Sequence, residues 1–482
     1  MKFDTKYKKI TSIILMIIAI SLILTGLILG KMVKDANAKT SDYWFFQESV
    51  ATGQPVELEN AFVLSSDNGI IKFMHDFQTY EIMGTLAREY QGVADITIAG
   101  EKIKKISIKP DYINVVIKNG AGIFYENVYV QKASDGTIIN AAEYMQSNAV
   151  SVMEIVDGQG LILCDSEGTA LEPAYEGVFR VIRTEDGMVL VNELPIETYL
   201  KYVVPSEMPI AFGEEALKAQ AVCARTYAYS QMSNTSYAMY AANLDDSTAF
   251  QTYHNAVRYA ETDKAVDDTK GQVITNQGSL INCYYYSTSP GVTNDMSSWE
   301  AENSEYIACA GMEFSSGLNL QIASDFSKFI HNHGYCYDSS SPYYRWKAVL
   351  NTSVVLDEQN GALKGLSVKE RNEAGYITAI ELQYEKRSIV LRNENDIRKV
   401  LGMYLEQTFL NDETVRNELT MLPSACFEVV ENGDERIVLQ GGGYGHGIGM
   451  SQYGAKSMAE AGFDYRAIIG YYYENVLISE LR

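Results

Sequence analysis

Apolar residues recur along this chain in three different patterns. Residues 10–30 form an uncharged run of about twenty apolar or small residues, long enough to cross a bilayer. Between about residues 61 and 165 the apolar runs are short and are separated by Gly and Asp turns, which predicts strands. After Gly213 the apolar residues recur at helical spacing, and Glu214 and Glu215 fall in the first turn, where acids suit the positive end of the helix dipole. Together these patterns predict an α+β protein with a mixed, β-rich core and a few packed helices.

Further elements follow from the same patterns. A helix is predicted across Gln78–Tyr90, within an otherwise strand-rich stretch. A hairpin is predicted from Tyr175–Arg183 and Gly187–Asn192, and a second helix near Ala260–Lys270. The other predicted strands are Ala61–Leu64, Gly69–Phe73, Lys105–Ile108, Ile113–Ile117, Leu161–Cys164, Gly271–Thr275 and Leu280–Ser289.

The residues on either side of the first apolar run predict where the protein lies. Lys2, Lys6, Lys8 and Lys9 precede the run, and the positive-inside tendency therefore places the N-terminus in the cytoplasm. We expect a retained single-pass membrane anchor, with the main body outside the cytoplasm. Ala36-Asn37-Ala38 resembles a signal-peptidase site, and cleavage after Ala38 would instead give a secreted protein.

Composition along the chain predicts four segments. Residues 1–38 form a cytoplasmic stub and membrane anchor, or a signal peptide, and the polar residues 39–60 form a linker. Residues 61–168 form a small β-rich accessory domain without a catalytic constellation. Residues 169–482 form the main domain, with a possible insertion near residues 309–340.

Charge and residue usage narrow the class of partner. The net charge of −23 argues against nucleic acid, for which a basic surface would be expected. The 34 tyrosines would suit a sugar-binding cleft, but they could equally fill strands and cores. The six cysteines include no short CxxC pair, so they do not form a disulfide scaffold. Cys309 and Cys336 could pair, but the sequence does not decide this.

One carboxylate stands out by its setting. Glu207 lies between Pro205 and Pro209, each of which fixes its own φ and disfavours a helical conformation for the residue before it. We therefore expect Glu207 on a stiff turn, where its side chain can be aimed. The simpler reading is that Glu207 is solvated or caps a helix.

A second unusual segment lies far downstream, at Gly441–Ala455. Its glycines would let the backbone approach a ligand, or would allow a tight crossover without one. No phosphate-loop spacing fits. Ser451 is predicted to be the N-cap of a helix that ends before Gly462. For His446, a role in the cleft and a structural hydrogen bond are both open.

These segments resemble one known family. The residues Asn192–Leu200, Val204–Tyr227 and Gly441–Ala455 are similar, in this order, to the SpoIID/LytB family of bacterial cell-wall proteins, which includes a sporulation lytic transglycosylase and an amidase enhancer. The resemblance implies a groove between two lobes that binds peptidoglycan glycan strands, with Glu207 as the catalytic acid and base. The candidate substrate-binding residues are Ser206, Lys218, Gln220, Arg225, Tyr285, Ser287, Ser289, Tyr444, His446 and Gln452.

One carboxylate suffices for this chemistry if the sugar supplies the nucleophile. Glycosidases usually use two acids, but Glu214 and Glu215 are better explained as helix charges, and Asp245 and Asp246 lie in a loop. In N-acetylmuramic acid the C6 hydroxyl can attack its own anomeric carbon, while Glu207 first gives a proton and then accepts one. For the first role the pKa of Glu207 should be raised by burial.

The resemblance also leaves alternatives. Pro290 and Asn294 stand where the family has Gly and Glu, which gives weight to a protein that binds glycan and activates an amidase without cutting. In a purely structural anchor Glu207 would be dispensable.

No metal or other cofactor is expected. Some SpoIID proteins bind zinc, but the stretch Ser247–Ser289 offers only His254 and Cys283, so zinc is not carried over. The cluster His331, His333 and Cys336 is most simply incidental. The expected partners are peptidoglycan, the membrane and an amidase or another wall-remodelling protein.

Overall fold

The computed structural model describes residues 44–481 except 68, 85–89, 121, 254–257, 309, 312–316 and 434. The predicted membrane segment 10–30 lies outside the described residues. Within the described part of the chain, no helix is both long and apolar enough to span a bilayer. The chain forms two compact units, one made of residues up to 116 together with 232–244, the other of residues 117–231 and 245–482. The predicted domain boundary after residue 168 stays a prediction.

The first unit is built on one antiparallel sheet with the strand order β3-β2-β1-β4-β5. Helix α1 (Trp44–Thr52) packs on this sheet, and Phe45 and Phe46 are buried in its core. The strands are β1 (Val56–Asp67), β2 (Ile70–His75), β3 (Gln78–Met83), β4 (Gly92–Ala99), β5 (Lys102–Ile108) and β6 (Tyr112–Ile117).

Two expectations for this unit are wrong. Residues 44–52 of the predicted linker are helical, because Phe45 and Phe46 bury their rings against the sheet. Residues 78–83 form strand β3 rather than a helix: Tyr80 and Ile82 alternate with exposed residues, which is the period of a strand. The β-rich character predicted for residues 61–168 is confirmed.

The second unit contains several small sheets. Antiparallel pairing gives the strand orders β9-β11-β12, β10-β7-β8, β15-β14-β26 and β18-β19-β20. A five-stranded antiparallel sheet has the order β22-β21-β17-β24-β23. The strands, with β13 at the boundary between the units, are β7 (Tyr129–Lys132), β8 (Ile138–Asn140), β9 (Val152–Val156), β10 (Leu161–Cys164), β11 (Val178–Arg183), β12 (Met188–Pro195), β13 (Leu244–Asp245), β14 (Gln272–Asn276), β15 (Ser279–Leu280), β16 (Tyr285–Tyr286), β17 (Trp346–Asn351), β18 (Leu363–Arg371), β19 (Ile377–Tyr384), β20 (Ser388–Leu391), β21 (Leu405–Leu410), β22 (Val415–Arg416), β23 (Phe427–Asn432), β24 (Arg436–Gly441), β25 (Met450–Ser451) and β26 (Leu477–Glu480).

Helices of the second unit pack beside these sheets. They are α2 (Ala141–Asn148), α3 (Ile196–Glu207), α4 (Glu214–Ser230), α5 (Ala260–Asp268), α6 (Ala323–Ile330), α7 (Glu394–Gly402), α8 (Gln452–Glu460) and α9 (Tyr465–Tyr472). The mixed helix and sheet architecture predicted from the sequence is confirmed, as are the hairpin β11–β12 and helices α4, α5 and α8. The two-lobed groove stays a prediction.

The short parallel pairing of β16 with β25 joins the middle of the chain to the glycine-rich segment. Tyr285 lies opposite Met450, and Tyr286 lies opposite Ser451. Gln452 follows directly as the first residue of α8, and Ser451 is its N-cap, as predicted. This pairing brings residues from two distant parts of the sequence to the end of α3.

Candidate active site

Glu207 is the last residue of helix α3, not part of a turn between two prolines. Pro205 lies within the final helical turn, where it removes one backbone donor but has only two residues of helix after it. Met208 then adopts an extended conformation, with φ −136° and ψ 126°, as expected for a residue that precedes a proline. The prolines therefore define where the helix ends, and the rigidity expected of the site comes from the helix.

The Glu207 side chain is half-buried, and its carboxylate has a specific backbone partner. The backbone N–H of Thr252 donates to Glu207 Oε1 at an N···O distance of 2.6 Å. Burial raises the pKa of Glu207 above its usual value, and hydrogen bonds from Thr252 and Gln452 act in the opposite direction. The raised pKa expected from the sequence is confirmed. The carboxyl group can therefore hold a proton more readily than an exposed glutamate can.

Tyrosines surround this carboxylate. The Glu207 charge contributes to raising the pKa of Tyr199, Tyr227 and Tyr285, after burial as the main cause. Gln251 links two of these tyrosines: its Nε2 donates to the phenol oxygen of Tyr285 at 3.0 Å, and its Oε1 accepts from Tyr199 at 3.3 Å. At neutral pH these phenols are uncharged groups that can donate hydrogen bonds.

Two glutamines that were predicted to bind substrate lie against the end of α3. Gln452 Nε2 donates to the backbone carbonyl of Glu207 at 2.9 Å and to Gln220 Oε1 at 3.4 Å. Gln220 is fully buried, which does not fit a contact with substrate, and Gln452 is nearly so. The structure thus brings both residues to Glu207, but with protein groups as their partners.

The other predicted residues near α3 have structural partners. Arg225 is fully buried and binds both carboxylate oxygens of Glu197, at 2.8 and 2.9 Å, so its predicted substrate contact is wrong. Lys218 Nζ lies 2.7 Å from Glu214 Oε1 and 3.1 Å from Glu215 Oε1. Ser206 Oγ donates to the carbonyl of Tyr202, one helical turn earlier.

Asp245 and Asp246, the other acids considered from the sequence, each accept hydrogen bonds from nearby protein groups. Asp245 Oδ1 accepts from the N–H and the hydroxyl of Ser247, at 2.8 and 2.6 Å. Both carboxylate oxygens of Asp246 accept from the N–H of Lys118.

His446 uses both of its ring nitrogens within the protein. The N–H of Ile448 donates to Nδ1 at 3.1 Å, so Nδ1 is unprotonated and Nε2 donates to the carbonyl of Tyr285 at 3.0 Å. Burial lowers the pKa of His446 to about 4. The ring packs at 5.1 Å from that of Trp299. These contacts favour the structural alternative for His446 over a metal ligand or a substrate contact.

The remaining candidate residues lie around β16. Ser289 is buried, and its N–H donates to Asp338 Oδ1 at 2.8 Å, so it does not fit a substrate contact. Ser287 is half-buried, and its carbonyl accepts from the N–H of Tyr453 at 3.0 Å. Tyr444 stacks on Tyr343 with ring centroids 4.3 Å apart.

Asp338 connects these segments and was not found from the sequence. Its Oδ1 accepts from Ser289 and from the hydroxyl of Ser451, and burial raises its pKa to about 7. Thr252 was also missed, because it contributes only its backbone N–H, which no residue type signals. Asp338 belongs to the stretch predicted as an insertion, where no motif marks it.

Asn294, where the family pattern has Glu, is fully buried. Its Nδ2 donates to the carbonyl of His446 at 2.8 Å and to Ser298 Oγ at 2.7 Å, and its Oδ1 accepts from Asn372 at 2.7 Å. The amide therefore holds the glycine-rich segment in place and cannot act as an acid.

Potential metal ligands are scattered through the described part of the chain. No group of three or more His, Cys, Asp or Glu within it could hold a metal ion. In the cluster noted in the sequence, His331 Nε2 lies 2.7 Å from Glu428 Oε1, and Cys336 is buried. His254 and Cys309 lie outside the described residues.

Comparison with known proteins identifies the class. Residues 184–276 match the family described as Stage II sporulation protein, and residues 293–449 match a domain of unknown function. The chain is 30% identical to stage II sporulation protein D of Bacillus amyloliquefaciens over 308 residues, which cover 60% of this chain and 76% of that protein. The chain therefore belongs to the SpoIID/LytB family, as the sequence motifs indicated.

Two further relatives match this chain over different shares of their own length. The amidase enhancer of Bacillus subtilis (strain 168) is 29% identical over 298 residues, which are 58% of this chain but 40% of that protein. An uncharacterized protein of Brachyspira hyodysenteriae is 28% identical over 325 residues, 66% of this chain and 76% of that protein. The chain thus matches less than half of the amidase enhancer and about three quarters of the other two relatives.

Proposed function

We propose that this protein is a peptidoglycan lytic transglycosylase that acts through Glu207 in cell-wall remodelling. The observation that carries the proposal is the half-buried Glu207 carboxylate, whose pKa is raised by burial and whose Oε1 accepts from the Thr252 N–H. A group of this kind can be protonated when the substrate binds, yet its anion has a donor ready.

The reaction requires one carboxyl group. Glu207 gives its proton to the glycosidic oxygen as the bond from the anomeric carbon of N-acetylmuramic acid to that oxygen breaks. The C6 hydroxyl of the same sugar forms the new bond to the anomeric carbon and returns its proton to Glu207. The product is a 1,6-anhydro sugar, and no water is consumed. The Thr252 N–H stabilises the Glu207 anion between the two proton transfers.

A second candidate function is binding without cleavage. Asn294 replaces the family Glu and commits its amide to His446, Ser298 and Asn372, so this position supplies no acid. One relative is named an amidase enhancer. The activity that would correspond to binding without cleavage is therefore the activation of an amidase. In that case the same surface would hold glycan for a partner enzyme.

The Glu207→Gln variant separates the two functions. The full chain is incubated with glycan strands stripped of stem peptides, and the products are analysed by mass spectrometry. We expect 1,6-anhydro products from the wild type and a loss of roughly 10²- to 10⁴-fold in their rate of formation in the variant. Glu261→Gln, at an exposed position of α5, is the matched control.

An amidase assay completes the test. An N-acetylmuramoyl-L-alanine amidase is added to whole sacculi with either protein. Stimulation of the amidase that survives Glu207→Gln, with no anhydro products from the wild type, would replace the first function by the second. If neither activity is seen, both proposals are wrong.

A further inference from the structure

The C-terminal carbonyl of helix α3 has a side-chain partner. The last four carbonyls of a helix have no partner within the helix, and that of Glu207 is one of them. Gln452 Nε2 takes this place, at 2.9 Å from the Glu207 carbonyl oxygen. The bond joins the residue that bears the carboxylate to a residue 245 positions later in the sequence.

Gln452 is itself fixed from three directions. Its preceding residue, Ser451, is the N-cap of α8 and bonds to Asp338. Its following residue, Tyr453, donates its N–H to the Ser287 carbonyl at 3.0 Å. The second hydrogen of the Gln452 amide points to Gln220 Oε1, at 3.4 Å, on helix α4. An amide held in this way has little freedom to turn towards a ligand.

We propose that Gln452 is a positioning residue, which holds the end of helix α3 so that the Glu207 carboxylate meets the Thr252 N–H, with Gln220 fixing the Gln452 amide. This inference rests on the proposed function and replaces the substrate-binding role that the sequence predicted for both glutamines. The occupied Gln452 hydrogens and the buried side chain of Gln220 favour this role over a contact with sugar.

Loss of the bond should affect catalysis through geometry. Without Gln452 the last turn of α3 can fray, and the distance of 2.6 Å between Thr252 N and Glu207 Oε1 is no longer enforced. Small misplacements of a catalytic group lower the rate of the chemical step by up to about 10²-fold, with little effect on binding of a long substrate. The effect should therefore fall on kcat rather than on KM.

The test compares Gln452→Met, which keeps the size of the side chain, with the wild type on glycan strands. We expect kcat to fall roughly 10- to 100-fold, with KM changed by less than about twofold. Gln440→Met is the matched control, because Gln440 Nε2 also donates to a backbone carbonyl, that of Trp346 at 3.1 Å, within the five-stranded sheet. Gln440→Met should leave both constants unchanged.

A second readout needs no activity. The effect of Glu207→Gln on thermal stability is measured against pH, once in the otherwise wild-type chain and once in the Gln452→Met background. Because the folded pKa of Glu207 is raised, the stabilisation from protonated Glu207 is present at low pH and is lost as the pH rises through that pKa. Gln452→Met should move this loss to higher pH, because the Gln452 amide is one of the hydrogen-bond donors that lower the pKa of Glu207. The neighbouring ionisable groups Tyr199, Tyr227 and Tyr285 do not titrate in this range.

The outcomes separate this inference from the proposed function. Unchanged kcat and an unchanged titration in folded Gln452→Met would overturn the inference, and so would a rise in KM alone, which indicates substrate binding. If the wild type cleaves no glycan, the proposed function is wrong, and the titration of Glu207 alone decides whether Gln452 is a positioning residue. Should Gln452→Met not fold, Gln220→Met replaces it, with a smaller change in the same direction expected.

Discussion

The end of helix α3 and the glycine-rich segment meet at Gln452 but differ in how their polar groups are used. At the end of α3, the half-buried Glu207 carboxylate accepts from the Thr252 N–H, and the Glu207 backbone carbonyl accepts from the Gln452 amide. In the glycine-rich segment, His446 has both ring nitrogens bound to backbone groups. Glu207 is therefore a candidate group for proton transfer, whereas His446 is committed to holding the chain in place.

The glycines of the segment Gly441–Ala455 are likewise used for packing within the protein. A Cβ at Gly441 would overlap the ring of Trp346, one at Gly447 the phenol of Tyr376, and one at Gly449 the carbonyl of Tyr284. These glycines allow other parts of the protein to approach the backbone closely. An unusual motif thus marks close packing here, and an ordinary glutamate at a helix end marks the candidate chemistry.

Gly449→Ala tests the packing role most strongly. Gly449 has φ +81°, and its new methyl group would meet the Tyr284 carbonyl. We expect a loss of about 3–5 kcal/mol in the free energy of unfolding, measured by denaturant titration. Gly470→Ala, in an exposed helical position with open space, should instead be neutral or stabilising by up to about 1 kcal/mol. A stable Gly449→Ala protein would contradict the packing role.

His446→Gln tests the structural role of the imidazole. Because burial lowers the folded pKa to about 4 from the usual 6.5, the neutral ring contributes stability above pH 6.5, and this contribution is lost as the pH falls towards 4. Relative to the variant, the wild type should lose up to about 3 kcal/mol between pH 7 and pH 4 in chemical denaturation. His333→Gln, at an exposed position, is the control. A wild-type advantage independent of pH would show that the ring is not held in its neutral form.

Lys218→Ala should have the smallest effect. Its ammonium group is paired with Glu214, Glu215 and Asp268 at the edge of the helix pair α4 and α5. We expect a loss below about 1 kcal/mol, reduced further at high salt, and cleavage changed by less than about twofold. Lys264→Ala, which removes bonds to Glu214 and Asp268, is the matched comparison. A tenfold loss of cleavage in Lys218→Ala alone would bring this residue back into the substrate site.

The sequence predicted much of the local structure because local signals are strong there. Glu214 and Glu215 open α4, and Ser451 caps α8 with Gly462 beyond its end, as expected. The helix predicted across Gln78–Tyr90 is wrong for residues 78–83, because Tyr80 and Ile82 alternate with exposed residues at the period of a strand.

The sequence predicted several residues of the candidate site, but not the contacts that those residues make. Glu207, Gln452 and Tyr285 could be singled out from motifs, but the Thr252 N–H and the Asp338 carboxylate could not. A backbone donor has no residue signature, and Asp338 reaches Ser289 and Ser451 across 49 and 113 residues of sequence. Such contacts depend on tertiary packing. For the same reason the sequence did not show that Arg225 is bound to Glu197.

The bond between Arg225 and Glu197 has a mechanical consequence. Glu197 lies in the first turn of α3, and the fully buried Arg225 guanidinium also donates to the Val266 carbonyl of α5. Helix α3 is thus anchored at its beginning by Arg225 and at its end by Gln452. Any movement of the Glu207 carboxylate must then come from rotation about the side-chain bonds of Glu207, or from α3, α4 and α5 shifting as one block.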